Sequence, residues 1–252
     1  MKTRERLDYI RDRIEKEGSI RVQELRKECQ VTEETVRRDL DRLEAEGCIT
    51  RTHGGAVWRT ESSTEGIFFY QRRVKNLREK KEIAKKLRGF ISGRRTLIAD
   101  SSTTVAEGLA ELKDKTDLTI VTNSAEIFHM IPEASFSMIS TGGIFNKQSL
   151  SFQGEITKQT VKRFNVDLAV ISCKGICMDM GVMDSYESEA DVKRSMLAQA
   201  KEVVLMVDHT KFDQVAFLKL MDFEKVDYII TDRKPSEVWI QFCEEKNIQM
   251  MY

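Results

Sequence analysis

The chain has 252 residues, of which 40% are hydrophobic and 33% charged, with 41 basic and 41 acidic side chains and only 2 prolines. This composition is typical of a soluble globular protein and excludes a disordered one. No apolar run approaches the roughly 18 residues that span a membrane, and the start of the chain lacks the apolar core of a signal peptide. We therefore expect a cytoplasmic protein without a membrane partner.

Residues 1–58 predict three helices followed by a β-hairpin. Apolar side chains recur at helical spacing in the first and third helices, as Leu7, Ile10 and Ile14 and as Val36, Leu40 and Leu43. A shorter helix is predicted over residues 22–28, and Thr32 is a favoured N-cap for the third helix. Residues 48–58 favour a hairpin around His53-Gly54-Gly55. This order of elements predicts a winged helix-turn-helix, whose second helix of the pair fits the major groove of DNA.

The third helix carries polar side chains off its apolar stripe. Thr35, Arg37 and Arg38 fall on that outer face, and arginine can bond guanine or phosphate. Residues 1–58 contain thirteen Lys/Arg and thirteen Asp/Glu, so any DNA contact must depend on where the charges lie. The alternative is an ordinary charged surface, but the position within this element order favours DNA contact.

The predicted hairpin offers two further candidates for DNA contact. Arg51 and His53 lie on it, where a hairpin tip can follow the backbone or the minor groove. For His53, a hydrogen bond to the local backbone is an equally good interpretation, and both stay open.

A polar linker is predicted at residues 59–75, and a basic helix overlaps its end. Residues 60–66 are polar and aperiodic. From Arg72 to Arg95 there are eleven Lys/Arg and two Glu, while Ile83, Ala84 and Leu87 supply an apolar face. A helix with a solvated basic exterior is favoured over a second DNA contact.

Residues 76–252 predict an α/β domain because short apolar strands alternate with helical stretches. The strands are expected at Thr96–Ala99, Leu118–Thr122, Phe136–Ser140, Leu168–Ser172, Val203–Val207 and Tyr228–Thr231. The helices are expected at about Val105–Leu112, Ala125–Met130, Glu155–Phe164, Glu187–Lys201 and Ser236–Lys246. The sheet should be largely parallel.

Polar segments follow the strands of this domain, where open α/β sheets bind ligands. Asp100-Ser101-Ser102-Thr103-Thr104 stands between a strand and a helix, and the backbone N–H groups and hydroxyls of such a turn can bind phosphate. Alone, a turn of this kind is more often a simple N-cap. Equivalent polar segments at 122–124, 141–143, 174–175 and 208–211 shift the balance towards a ligand site.

The five cysteines point to no metal or disulfide chemistry. They are odd in number and scattered, which argues against a disulfide framework. Cys173 and Cys177 are four residues apart with no second pair nearby, so reduced thiols are favoured over a metal site. No metal and no cofactor is expected.

Two motifs carry a resemblance to a known family. The run Thr35-Val36-Arg37-Arg38-Asp39-Leu40, followed by Arg51-Thr52-His53-Gly54-Gly55-Ala56, closely resembles the DNA-binding domain of the DeoR family of bacterial regulators. Gln30 departs from the glycine or asparagine expected in the turn. The second half is similar to the DeoR-type effector domain, which resembles ribose-5-phosphate isomerase and glucosamine-6-phosphate isomerase. The implied fold is a small α+β winged helix-turn-helix followed by a Rossmann-like α/β sensor domain.

The resemblance implies roles for residues in both halves. Thr32, Thr35, Arg37, Arg38, Arg51 and His53 would contact operator DNA. Asp100, Ser101, Ser102, Thr103, Thr104, Asn123, Gly143, Lys174 and Lys211 would bind a phosphorylated sugar. Ser101 to Thr104 and Lys211 would hold the phosphate, with Ser102 standing where glycine is common. The protein would be a homo-oligomeric repressor of a carbohydrate operon, its domains spanning 1–58 and 76–252 on either side of the linker.

The isomerase relatives suggest a second function. They carry acidic residues after the strand that here ends near Ser172, but residues 168–175 contain no acid. Asp184, Glu187 and Glu189 lie further on, and Glu189 could face the pocket, although a helix-start role is favoured. We therefore expect binding without catalysis. A retained aldose–ketose isomerase activity, or an α/β half that only mediates oligomerisation, remain as alternatives.

Overall fold

The computed structural model describes residues 3–17, 19–45, 49–52, 54–58 and 69–252. The chain divides into two compact units, Met1–Gln71 and Arg72–Tyr252. His53 and residues 59–68 of the predicted linker lie outside the described residues.

The first unit is a winged helix-turn-helix, as predicted. Its helices are α1 (Thr3–Glu17), α2 (Val22–Cys29) and α3 (Glu33–Ala45), and its strands are β1 (Ser19–Arg21), β2 (Ile49–Thr52) and β3 (Gly55–Trp58). The strands form an antiparallel sheet in the order β1-β3-β2. Strand β1 was not predicted, because three residues are too few to show a periodic pattern. Of the predicted stripes Leu7/Ile10/Ile14 and Val36/Leu40/Leu43, every side chain is fully buried in the core of this unit except that of Leu7, which is partly buried against it.

The turn between α2 and α3 depends on a left-handed residue that is not glycine. Gln30 has φ +53° and ψ +46°, and its N–H donates to the Arg26 carbonyl. A non-glycine residue in this conformation costs about 1–2 kcal/mol. Gln30 nevertheless adopts the left-handed conformation expected of glycine or asparagine, so the turn geometry is kept at that cost in free energy.

The second unit is built on a seven-stranded sheet, which confirms the α/β prediction. The strands are β4 (Thr96–Ala99), β5 (Thr119–Thr122), β6 (Ser137–Ser140), β9 (Val166–Ile171), β12 (Ala200–Met206), β14 (Tyr228–Ile230) and β15 (Gln249–Met251). Their order is β15-β14-β12-β9-β4-β5-β6, and every neighbouring pair is parallel. The carboxyl ends therefore share one edge of the sheet. The chain enters at β4, in the middle, and builds outward in both directions, so a topological switch point lies between β4 and β9.

The helices of this unit are α5 (Leu77–Phe90), α6 (Thr103–Glu111), α7 (Ile127–Met130), α8 (Glu155–Val161), α9 (Glu187–Leu197) and α10 (Glu237–Glu245). Two 3₁₀ turns occur at His209–Lys211 and Phe223–Lys225. The predicted helices are present with ends that differ by a few residues.

Strand β15 of the main sheet and five short strands outside it were not predicted. Strands β7 (Ile144–Asn146) and β8 (Ser151–Gln153) form a hairpin, and β10 (Gly175–Cys177), β11 (Gly181–Asp184) and β13 (Leu218–Met221) form a small antiparallel sheet. Each has only three or four residues, too few for hydrophobic periodicity to distinguish a strand from a loop.

The segment predicted as the end of the linker contains a helix. Helix α4 (Phe69–Val74) lies inside residues 59–75, and Phe69 is buried. Asn76, with φ +53°, has a left-handed conformation that separates α4 from α5. The predicted basic exterior of α5 needs one correction, because Lys80 is buried beside Ile83, Ala84 and Leu87. No helix in the described part of the chain is long and apolar enough to cross a membrane.

Candidate DNA-binding helix and anion pocket

Helix α3 presents both candidate arginines to solvent. The Thr32 hydroxyl oxygen accepts from the Thr35 N–H at 3.2 Å, which confirms the predicted N-cap. The side chains of Arg37 and Arg38 are 58% and 74% exposed and pair with Glu33 and Glu34 one turn earlier, at 3.7 and 3.2 Å. Such exposed helical pairs are weak, so a DNA phosphate or base can displace the glutamates.

Asp39, in the same motif, points the other way. It is buried, and its carboxylate accepts from the Arg6 guanidinium, with Nε–Oδ2 at 2.5 Å and Nη2–Oδ1 at 3.3 Å. The hydrogen bond to Asp39 raises the pKa of Arg6 above its usual value, against the opposing effect of burial. Asp39 therefore holds α3 against α1. Helical spacing could have placed Asp39 on the inner face, since it lies three residues after Val36 and four before Leu43, but it could not have named Arg6 as its partner.

The hairpin requires glycine at one position. A Cβ on Gly55 would lie 2.0 Å from the Ile20 carbonyl oxygen, because β3 passes close to β1. Arg51 lies on β2, where its backbone pairs with Ala56 of β3. Arg51 and Thr32, Thr35, Arg37 and Arg38 remain proposed DNA contacts.

Replacing Arg38 with alanine should weaken operator binding by about 1–3 kcal/mol, the value of one good base or phosphate contact. The fold should persist, since the side chain is 74% exposed. Fluorescence anisotropy with an operator selected from random duplexes measures the change. Glu44→Ala, an exposed substitution near the other end of α3, serves as the comparison. Equal affinity for wild type and Arg38→Ala would mean that another face meets DNA.

In the second unit, α6 begins at the switch point directly after β4. Ser102 is its N-cap, with φ −70°, and its hydroxyl oxygen accepts from the Val105 N–H at 3.3 Å. The N–H groups of Thr103 and Thr104, in the first turn, have no carbonyl acceptor within the helix. Ser101, Thr103 and Thr104 are buried, so these donors and hydroxyls are largely shielded from water. Donors directed outward at a helix N-terminus suit a phosphate group.

The Asp100 carboxylate organises this loop. Its Oδ1 accepts from the Ser102 N–H at 2.9 Å, and its Oδ2 accepts from the Ser172 N–H at 3.1 Å. The first bond shapes the loop after β4, and the second ties that loop to the end of β9. Asp100 therefore positions the candidate phosphate loop.

Lys193 of α9 was missed by sequence analysis and lies beneath this site. Its buried ammonium is 3.1 Å from Asp100 Oδ2 and 2.7 Å from Asp184 Oδ2, and it donates to the Ser172 carbonyl at 2.8 Å. Burial alone would lower the pKa of Lys193, but the carboxylates of Asp184 and Asp100 raise it above its usual value. Lys193 thus fixes the ends of β4, β9 and β11. Glu189, also buried, lies in the first turn of α9, as the favoured interpretation predicted.

The ends of β5 and β6 contribute polar groups at the other side of the switch point. Asn123 is buried, and its amide donates to the Phe152 carbonyl of β8 at 3.0 Å. Among the described residues, Asn123 Oδ1 and Thr141 Oγ1 are buried without a hydrogen-bond partner. Each such atom costs about 1–3 kcal/mol, which a hydroxyl-bearing ligand could recover after a small rearrangement.

Gly143 meets a steric requirement in the loop after β6. Its φ is +121°, and a Cβ there would lie 2.1 Å from Thr157 Oγ1. Thr157 in turn donates to the Gly142 carbonyl at 2.7 Å. This packing sets the path of the loop, and a ligand contact by Gly143 remains a proposal.

The two candidate lysines follow β9 and β12. Lys211 ends the 3₁₀ turn His209–Lys211, which is capped by Asp208. Its ammonium lies near enough to Cys173 to oppose the effect of burial, which raises the pKa of that thiol to about 12. Lys174 follows Cys173, and its N–H donates to Met183 across to β11. Phe212, the residue after Lys211, forms a β-bridge with Ile176, which places Lys211 beside the loop that carries Lys174.

Two other features carry no part of this site. Cys173 donates to the Gly175 carbonyl, and no cluster of three potential metal ligands occurs among the described residues. An open groove of about 490 Å³ lies between α5 and β15, lined by Lys86, Gly89, Phe90, Met250, Met251 and Tyr252. It contains none of the predicted ligand residues.

Comparison with protein families matches both halves of the chain. A family described as DeoR-like helix-turn-helix domain matches residues 6–62, and one described as DeoR C terminal sensor domain matches residues 75–233.

Several proteins are similar over nearly the whole length. An uncharacterized HTH-type transcriptional regulator, YulB, of Bacillus subtilis is 34% identical over 98% of this chain and 95% of its own length. The L-fucose operon activator of Haemophilus influenzae is 30% identical over 93% and 94%. The glycerol-3-phosphate regulon repressor of Escherichia coli is 28% identical over 99% of both chains.

Among solved structures, ribose 5-phosphate isomerase A of Methanocaldococcus jannaschii matches 54% of this chain and 55% of its own, with 13% identity and a TM-score of 0.41. The beta subunit of eIF2B from Chaetomium thermophilum matches 69% and 57%, with 17% identity and a TM-score of 0.45. The two domain matches and the full-length similarity to YulB show that the chain belongs to the DeoR family of transcriptional regulators.

Proposed function

We propose that this regulator binds an operator of a carbohydrate-metabolism operon as a homo-oligomer in the cytoplasm, and that a phosphorylated sugar modulates the binding. The observation that carries the ligand class is the α6 N-terminus, with its buried hydroxyls and first-turn N–H groups at the switch point of the sheet. Lys211 supplies a compact positive charge on the neighbouring loop.

Names of the relatives support the same assignment and leave its sign open. They include a repressor of a glycerol-3-phosphate regulon and an activator of an L-fucose operon. We propose repression relieved by the effector. A ligand can shift the equilibrium only by its difference in affinity for the DNA-competent and DNA-incompetent arrangements.

The acidic residues near the proposed ligand site are engaged in structural contacts, which favours ligand binding without catalysis. Isomerisation requires a carboxylate free to move a proton between carbons. Asp100 and Asp184 instead accept from main-chain N–H groups and share the Lys193 ammonium. Glu189 is the remaining candidate base, and turnover of a phosphosugar that is lost in Glu189→Gln would favour the isomerase alternative.

Assembly follows from the way such helices bind DNA. Two recognition helices at matching half-sites require at least a dimer. The second unit exposes large apolar side chains that suit subunit contacts, including Phe217 at 86%, Ile144 at 69% and Ile156 at 65% exposure. A domain that only oligomerises would show no specific ligand.

Replacing Lys211 with alanine should weaken effector binding about 10- to 100-fold, because a charge-assisted bond to phosphate contributes about 1.5–3 kcal/mol. The effector is first found by a thermal-shift screen of phosphorylated sugars against their dephosphorylated forms, since a ligand that binds only the folded state raises the melting temperature. Titration calorimetry then compares wild type and variant.

Lys234→Ala is the control, because Lys234 is an exposed lysine paired with Glu237. It should bind the effector as wild type does, and Lys211→Ala should still bind operator. Undiminished effector affinity in Lys211→Ala would place the pocket elsewhere. No shift with any phosphorylated compound would favour a purely assembling domain.

A further inference from the structure

Lys80 of α5 has an uncommon environment for a lysine. Its side chain is 5% exposed, and its ammonium donates to the main-chain carbonyls of Arg72 and of Lys75, the latter at 2.7 Å. These carbonyls belong to the end of α4 and the turn that follows it, where the second unit begins. Lys80 therefore holds this turn against α5. Residues 72–76 are called the hinge hereafter because of their position between α4 and α5.

Charged groups approach Lys80 from three elements. Asp208 and Lys211 lie on the turn after β12, Arg72 on α4 and Glu107 on α6. Both acids have other partners, since Asp208 accepts from the Thr210 N–H and the Asn76 amide, and Glu107 accepts from Arg73 at 2.9 Å. Burial lowers the pKa of Lys80 to about 7, with Asp208 opposing and Lys211 adding to the shift.

The candidate phosphate loop and Lys80 meet at one atom. The Thr103 hydroxyl donates to the Arg72 carbonyl oxygen at 3.4 Å, and the Lys80 ammonium donates to the same oxygen. A phosphate held by the first turn of α6 would therefore be separated only by the Thr103 hydroxyl and this carbonyl oxygen from an ammonium whose hydrogen-bond partners in the described structure are neutral carbonyls. At such a distance a dianion strongly favours the charged form of the lysine.

We propose that Lys80 couples effector binding to the hinge: the effector's phosphate stabilises the Lys80 ammonium, and the charged ammonium holds the Arg72 and Lys75 carbonyls more firmly. This inference rests on the proposed effector site and adds its regulation. The bound anion and the segment leading to the DNA-binding unit are thereby linked through one proton.

Proton uptake on binding is the consequence that can be measured. In the free protein Lys80 loses its proton near pH 7, and the bound anion raises that pKa. Between the two values binding takes up a proton, so affinity falls as pH rises, by up to about tenfold per unit. Below the free value Lys80 is already charged, and this dependence disappears.

Titration calorimetry with inorganic phosphate at about pH 7.5 and 8.5 tests the inference. Phosphate is largely the dianion at both pH values, and potassium chloride is added so that the ionic strength is the same. The dissociation constant of the wild type should rise several-fold between these pH values, with proton uptake revealed by buffers of different ionisation enthalpy. Lys80→Met, which keeps the apolar stem, should show neither effect. Lys86→Met is the matched control, because Lys86, also on α5, donates to the carbonyls of Thr231 and Asp232, and it should behave as wild type.

Hydrogen exchange of residues 72–80 reads the hinge directly. Phosphate should slow exchange there in the wild type and in Lys86→Met, but not in Lys80→Met. The same spectra report protection of residues 101–106, the proposed site, and whether Lys80→Met is folded.

The outcomes separate the two proposals. Protection of residues 101–106 with a flat pH profile and unchanged exchange at the hinge in the wild type would overturn the role of Lys80 and leave the effector site standing. A pH profile that persists in a folded Lys80→Met would assign the proton to another group. Failure of phosphate and of phosphate esters to protect residues 101–106 would overturn both.

Discussion

A Lys193→Met variant should lose about 3–5 kcal/mol of stability in the sensor domain, because removing one partner of a buried ion pair leaves an uncompensated charge. Here two carboxylates, those of Asp100 and Asp184, would be left without their shared ammonium. The candidate phosphate loop should become less ordered as well, since Asp100 accepts a hydrogen bond from the Ser102 N–H within it. Urea denaturation followed by the fluorescence of buried Trp239, in a Trp58→Phe background, measures the loss.

Lys201→Met provides the comparison for this variant. Lys201 pairs with Asp167 at 2.9 Å, but its side chain is 76% exposed, and its removal should change stability little. If Lys193→Met lost no more stability than Lys201→Met, the ion pairs of Lys193 with Asp100 and Asp184 would contribute little to the stability of the sensor domain. At neutral pH the effect should not vary with pH, because a lysine with a raised pKa contributes fully below its unfolded value of about 10.4.

An Asp39→Asn variant should destabilise the DNA-binding unit by about 3 kcal/mol, the lower end of the range for a broken buried pair. The amide keeps the shape of the carboxylate, but it cannot neutralise Arg6, which retains only 7% exposure. Hydrogen exchange of residues 33–45 measures the change locally in the full chain. Operator affinity should fall only in proportion to the fraction of molecules in which the DNA-binding unit is unfolded.

Glu34→Gln separates this structural role from a general effect of charge on α3. Glu34 is exposed and pairs with Arg38, so its replacement should leave exchange in α3 unchanged. If Asp39→Asn kept wild-type protection yet lost operator affinity, Asp39 would act at the DNA and its inward placement would be wrong.

Stability and recognition therefore depend on neighbouring residues of one motif. Arg38 and Asp39 are adjacent in sequence, but one is 74% exposed and the other is buried. The expected signatures differ accordingly: Arg38→Ala lowers operator affinity with α3 intact, and Asp39→Asn lowers the protection of α3 itself.

Elements with strong local signals could be predicted from the amino-acid sequence. The stripes Ile10/Ile14 and Val36/Leu40/Leu43 set the helices and core of the DNA-binding unit, and the Thr32 cap set the start of α3. Strand-helix alternation gave the parallel sheet, and the polar segments after its strands lie at one edge because parallel strands share their direction. The motifs at 35–40 and 51–56 identified the family.

The partners of the buried charges follow from long-range packing and not from local sequence. Lys193 lies three residues after Ala190 and three before Met196, and Lys80 three before Ile83, so helical spacing could have placed both on buried faces. It could not have named Asp100 and Asp184, or the Arg72 carbonyl, as their partners. Those contacts join elements that are distant in the chain, so only the packing of the fold brings the partners together. A charge is tolerated in the interior only where such a partner lies within hydrogen-bonding distance.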